Sequence, residues 1–133
     1  MIGYVTLGTN DIDRALPFYD ALLGTIGATR LMELGEEQGH FTLYGTEIKR
    51  PGLAIVRPYN REPAVPGNGN MAAIAVDSRD KVHALYEKAL ELGGSDEGPP
   101  GLRSPEGPRA FYGAYFRDLD GNKLCAFRIG PAE

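Results

Sequence analysis

The sequence predicts an α+β fold of two tandem β-α-β-β-β modules, with a ligand-sized space on the sheet faces that the helices leave bare. Three observations carry this expectation. A strand-then-helix pattern recurs at a fixed offset, a tight-turn pair (Asp120-Gly121) divides two strand-like stretches near the C-terminus, and the strand residues opposite the helix-packing ones are mostly small.

Residues 4–9 alternate as a strand, and Asn10 to Asp13 supply helix-capping side chains. Ala15, Phe18, Tyr19 and Leu22 then follow the i, i+3, i+4, i+7 spacing of a helix with one buried stripe. Pro17 falls in or just beyond the first turn, where a missing N–H costs least, and Gly24 and Gly27 mark the end. Strands are expected at about 28–35, 40–46 and 52–57. The second half repeats this order: a strand from Met71 to Val76, a cap at Asp77 or Ser78, a stripe of Val82, Leu85, Tyr86 and Ala89, and an end at Gly93-Gly94. Each stripe residue lies 67 positions after its counterpart, so Tyr86 falls on Tyr19, and the strand starts at Met71 and Tyr4 obey the same offset. The last strands, Leu53 to Arg57 and Leu124 to Arg128, match at an offset of 71. Such agreement marks an internal duplication.

Towards the C-terminus, an apolar strand ending at Phe116 meets Asp118-Leu119-Asp120-Gly121, whose Asp-Gly pair tolerates the positive φ of a tight turn. The next strand puts Leu124 and Ala126 on one face and Cys125 and Phe127 on the other. Pro58 to Asn70 reads as a linker, giving one domain over 1–133 with modules of about 1–58 and 70–130 around a linker at 59–69. Gly93 to Pro108 reads as a second Gly- and Pro-rich loop of about 16 residues, long enough to be a lid or binding loop.

At 133 residues and 42% apolar content the chain has enough material for one shared core. A net charge of −4 with acids and bases interspersed offers no basic stripe for nucleic acid and no basic amphipathic helix for a membrane surface. No apolar run approaches the roughly 20 residues of a membrane span and no leader pattern opens the chain, so a cytoplasmic protein is expected. One cysteine can form neither an internal disulfide nor a cysteine-rich zinc site.

Strand alternation separates two faces. With Val5, Leu7, Leu53, Ile55, Ala72, Ile74 and Val76 packed on the helices, Tyr4, Thr6, Gly8, Ala54, Val56, Met71, Ala73 and Ala75 are left on the other side. Tyr44, Tyr112 and Tyr115 lie on strands whose facing the pattern does not settle. Arg103, in the long loop, offers a fork of donors to an anionic group or is simply solvated.

These features resemble the vicinal oxygen chelate superfamily, which contains glyoxalase I, extradiol dioxygenases and the bleomycin and fosfomycin resistance proteins. The resemblance rests on Tyr4-Val5-x-Leu7 with Asp11, Ala15-x-x-Phe18-Tyr19, Gly67-x-Gly69-x-Met71-x-Ala73, Gly93-Gly94-x-Asp96-x-Gly98 and Phe116-Arg117-Asp118-x-Asp120-Gly121-Asn122. It implies paired modules forming a curved mixed sheet around a central cavity, commonly in a homodimer. It also implies, for metal-dependent members, His and Glu ligands on the first and last strands of each module. Those positions hold Tyr4, Ala54, Met71 and Cys125 here, which are not the ligands of a hard divalent ion, so no metal or other cofactor is expected.

Other residues offer little chemistry in their place. His40 and His83 read as surface histidines, and Glu33, Glu36 and Glu37 as a solvated strand edge rather than an acid–base pair. Cys125 is either a low-pKa nucleophile with Tyr4 as its proton partner or an inert small hydrophobe; no cation is placed next to it by spacing, which favours the second. The expected function is binding of a small organic molecule by Tyr4, Thr6, Ala54, Met71, Ala73, Tyr112, Tyr115 and Cys125, with Arg103 in a covering loop. Two alternatives stay open: a glyoxalase-type (lactoylglutathione lyase-like) lyase or isomerase using an atypical metal site or Tyr/Glu acid–base chemistry, and a non-catalytic interaction module.

Overall fold

The computed structural model describes residues 1–132. The first module comprises β1 (Tyr4–Gly8), α1 (Ile12–Gly24), β2 (Thr29–Glu33), β3 (Thr42–Gly45) and β4 (Gly52–Val56), with one 3-10 turn at Glu36–Gln38. The second comprises β5 (Ala72–Ala75), α2 (Arg79–Glu91), β6 (Ser95–Leu102), β7 (Phe111–Arg117) and β8 (Lys123–Ile129). Two four-stranded mixed sheets result, ordered β1-β4-β3-β2 and β5-β8-β7-β6. In each, the module's first and last strands run parallel and the remaining pairs antiparallel. Both helices have 13 residues, and their bounds differ by 67 at each end, as the repeat requires.

Each helix begins where a short polar side chain can accept a backbone N–H: Asp11 from Arg14 and Ser78 from Lys81. Pro17 sits beyond the first turn of α1, but it and Asp13 are exposed, so the Asp13 carbonyl left without an N–H partner faces water. After α2, Gly94 N–H donates to the Ala89 carbonyl at 2.8 Å. A Cβ on Gly94 would lie 2.5 Å from the Arg117 carbonyl oxygen, so only glycine fits where this helix leaves the sheet.

The Gly- and Pro-rich segment expected as a loop from Gly93 to Pro108 is instead strand β6 over eight of its residues, Ser95–Leu102. It pairs antiparallel with β7 through register shifts on both sides of Gly98. Its place at the sheet edge explains how a strand holding Pro99 and Pro100 forms, since edge positions do not require every N–H. Arg103 thus follows a strand end rather than sitting within a long mobile cover.

One apolar core serves both modules: Phe18, Leu22 and Ile55 from the first join Val82, Leu85, Phe116 and Leu124 from the second, all 2% exposed or less. A polar lock ties the modules together beside it. The Tyr19 hydroxyl donates to Asp118 Oδ2 at 2.5 Å, across 99 residues. Asp118 also accepts from the backbone N–H groups of Asp120 and Asn122 and from Asn122 Nδ2, each at 2.9 Å. Asn122 Nδ2 in turn donates to the Gly8 carbonyl, and Arg14 to that of Leu119.

Burial, then the neighbouring Asp118 charge and hydrogen bond, push the Tyr19 phenol well above its ordinary value. A tyrosine whose folded pKa is raised contributes fully below the unfolded value of about 10 and loses that contribution as pH climbs towards the folded one. Tyr19→Phe should therefore cost about 1–3 kcal/mol at neutral pH, because a buried carboxylate loses a donor. In urea melts the variant should also decline less steeply than wild type above about pH 10. Parallel declines would remove Tyr19 from the lock.

Candidate functional site

The sheet faces turned away from the helices follow from register. Pairing of Tyr4 with Gly52, Thr6 with Ala54 and Leu43 with Ala54 puts these five residues on one face of the first sheet. Tyr4 meets Phe41 edge to face with ring centroids 5.3 Å apart, and the residue is 54% exposed at the rim. Ala54 is fully buried beneath this face. The linker crosses one end of this face: the Asn10 side chain holds both backbone groups of Ala64, accepting its N–H at 2.7 Å and donating to its carbonyl at 3.2 Å. A cavity of about 690 Å³ opens here, lined among others by Tyr4, Thr6, Phe41, Val56 and Tyr59.

On the second sheet, Ala73 pairs with Cys125 and Cys125 with Tyr115, and Met71 precedes them at the strand entry. Gly113 lies opposite Phe127, and its missing side chain leaves room for the Phe111 ring, which stacks on Phe127 at 5.2 Å. That pair closes one end of the face, leaving Met71, Ala73, Cys125 and Tyr115 at the other. Arg103 and Lys123 both approach the Tyr115 ring, at 5.4 and 5.5 Å from its centroid. A second cavity, about 1020 Å³, lies between the free edges of β1 and β5 and includes Val5, Met71, Ala73 and Lys123 in its lining.

Eight of the nine residues expected at a site lie on or beside these two faces, divided between the sheets: Tyr4, Thr6 and Ala54 on the first, Met71, Ala73, Arg103, Tyr115 and Cys125 on the second. Within one chain Tyr4 and Met71 line different cavities, so the four positions of the expected metal set do not meet at one point. Tyr112 is the exception. It points to the helix side, where its hydroxyl meets His83 Nε2 at 2.7 Å and Arg79 covers its ring at 4.7 Å. Tyr44 also turns to the helix side, buried, with its hydroxyl on Asp20.

Cys125 is 1% exposed. Burial pushes its thiol up, and the Tyr115 hydroxyl and the Arg103 and Lys123 charges only partly oppose this, so the neutral thiol is the ground state. Lys123 is a cation that the spacing argument overlooked, although it lies two residues before Cys125 on the same strand and therefore on the same face.

The donor chemistry of Tyr4, Ala54, Met71 and Cys125 is one phenol, one methyl, one thioether and one protonated thiol, which does not fit a hard divalent ion. Among the described residues, no group of three or more His, Cys, Asp or Glu is placed to hold a metal ion. His83 is engaged by Tyr112, and Glu33 pairs with Arg30 at 2.8 Å. His40 occupies a turn at φ +52°, next to Gly39.

Solved structures of similar fold place this arrangement. A glyoxalase/bleomycin resistance protein from Albidiferax ferrireducens T118 is 34% identical, with 96% of this chain and 98% of that one covered and a TM-score of 0.80. Lactoylglutathione lyase from Agrobacterium tumefaciens is 20% identical over 96% of this chain and 92% of that one, with a TM-score of 0.64. The V278E mutant of glyoxalase I from Zea mays is 20% identical, with a TM-score of 0.71 over 99% of this chain and 45% of that one. No curated protein matches the sequence. The profile of the Glyoxalase/Bleomycin resistance protein/Dioxygenase superfamily matches residues 1–126, and the chain belongs to that superfamily.

Proposed function

We propose that this protein binds a small organic molecule on the two helix-free sheet faces, without a divalent metal at the positions of Tyr4, Ala54, Met71 and Cys125. The observation that carries the reading is the combination of space and donor chemistry: small residues at the floor, aromatic rings at the rim, and no histidine or carboxylate in the set. The small Ala73 and Thr6 leave room, while Tyr4 gives a ring surface and a hydroxyl to orient what enters. Binding rather than lyase chemistry is favoured because a buried neutral thiol and rim phenols provide no poised acid–base pair.

The site is completed in a homodimer that sets the first sheet face of one chain against the second face of its partner. Support comes from the separation of Tyr4 and Met71 into different cavities and from the unpaired outer edges of β1 and β5. Ile2, Val5, Val65 and Met71, all at least 40% exposed, make the lining between those edges apolar. Protein purified without chelator and then dialysed should contain no stoichiometric transition metal by elemental analysis; one metal per chain would overturn the reading. Light scattering should give about twice the chain mass of 14.4 kDa. Val5→Lys, placing a charge at the free edge of β1, should halve that mass with the circular dichroism spectrum unchanged, and a wild-type monomer at tens of micromolar would remove the shared site.

A further inference from the structure

The two faces differ in charge, and the difference indicates what the ligand carries. On the second face, the guanidinium of Arg103 and the ammonium of Lys123 both lie within 5.5 Å of the Tyr115 ring centroid. Among the described residues neither forms an ion pair. Arg103 Nη2 donates to the Pro99 carbonyl at 2.6 Å, and Nη1 makes a long contact of 3.5 Å with the Leu102 carbonyl, which fix the fork without neutralising it. Glu97 lies towards Lys123 but is engaged by Arg117, so it does not cancel both charges. Two cations held around one ring, Lys123 lining the larger cavity with the small Ala73 and Arg103 exposed beyond the end of β6, form an electrostatic trap for an oxyanion. The first face has a different character: Tyr4, Phe41 and Tyr59 line its cavity with aromatic surface, and its charged lining residues, Arg57 and Glu62, are of opposite sign.

We infer that the ligand is an amphiphilic organic anion, a carboxylate, sulfonate or phosphate on an apolar or aromatic body, whose charged group is held by Arg103 and Lys123 around Tyr115. The inference rests on the binding reading above and adds the chemical class of the ligand to it. Arg103 gives directional donors and Lys123 a point charge, and the Tyr115 ring between them holds both cations in place. The apolar body then lies along Ala73 and Met71 towards the aromatic rim.

Two fluorescent probes separate the claim from its foundation: 8-anilinonaphthalene-1-sulfonate, an aromatic anion, and N-phenyl-1-naphthylamine, a similar body without the sulfonate. Both should bind wild type. Arg103→Gln and Lys123→Gln should each weaken the sulfonate probe about 10–100-fold, the worth of one charge-assisted hydrogen bond, and leave the neutral probe unchanged. Lys49→Gln, an exposed cation in the β3–β4 connection, should change neither, and thermal melts should show all three variants folded. Equal sulfonate affinity in wild type and both site variants, with the neutral probe still bound, would overturn the anion assignment and leave the cavity reading intact. Equal weakening by Lys49→Gln would reduce the effect to net charge and overturn the assignment as well. Failure of wild type to bind either probe would remove the cavity reading and the assignment with it.

Discussion

A single hydroxyl-to-carboxylate bond sets the frame on which both faces depend. Tyr19 comes from the first helix and Asp118 from the β7–β8 turn, so their contact fixes one module against the other rather than bracing either internally. Asp118 is 6% exposed and accepts four donors, so its burial is compensated only while the turn keeps its shape. That shape brings Asn122 to the end of β1 and Asp120 to the Asn10 N–H. Asn10 then holds Ala64, which positions the linker across the first face. The path from core to site is continuous: lock, turn, strand end, linker.

The two halves show how a duplicated unit diverges under this constraint. Tyr19 and Tyr86 occupy the same place in the repeat, yet the first is buried across the module boundary and the second makes a half-exposed bond to Asp96 within its own module. One copy of the tyrosine became a fastener, and the other stayed a local brace. The sheet faces diverged in parallel. The first keeps aromatic rings with Arg57 and Glu62 of opposite sign in its cavity lining, whereas the second collects Arg103 and Lys123 around Tyr115.

Much of this was legible in the sequence because helices announce themselves locally. The stripes, the caps at Asp11 and Ser78 and the constant offset all depend on residues within a few turns of each other. Faces of β1, β4 and β5 were legible for the same reason, since alternation has a fixed period. β6 was hidden because two prolines and three glycines between 94 and 101 imitate a loop, and only the edge position, a tertiary fact, lets them be a strand. The facing of Tyr112 depended on register within β7, and the Tyr19–Asp118 pair is separated by 99 residues with no local pattern to join them. Lys123 was within reach of alternation, since it precedes Cys125 by two residues on β8 and shares its face.

The open borders of β1 and β5 have a consequence beyond recognition. Each carries a row of backbone donors and acceptors that no strand of its own chain satisfies, flanked by greasy side chains such as Ile2 and Val65. A lone copy is therefore a template for indiscriminate strand addition, and in the proposed dimer the contact that joins the two faces would also withdraw these rails from the solvent. In that arrangement, resistance to aggregation would increase with concentration rather than fall.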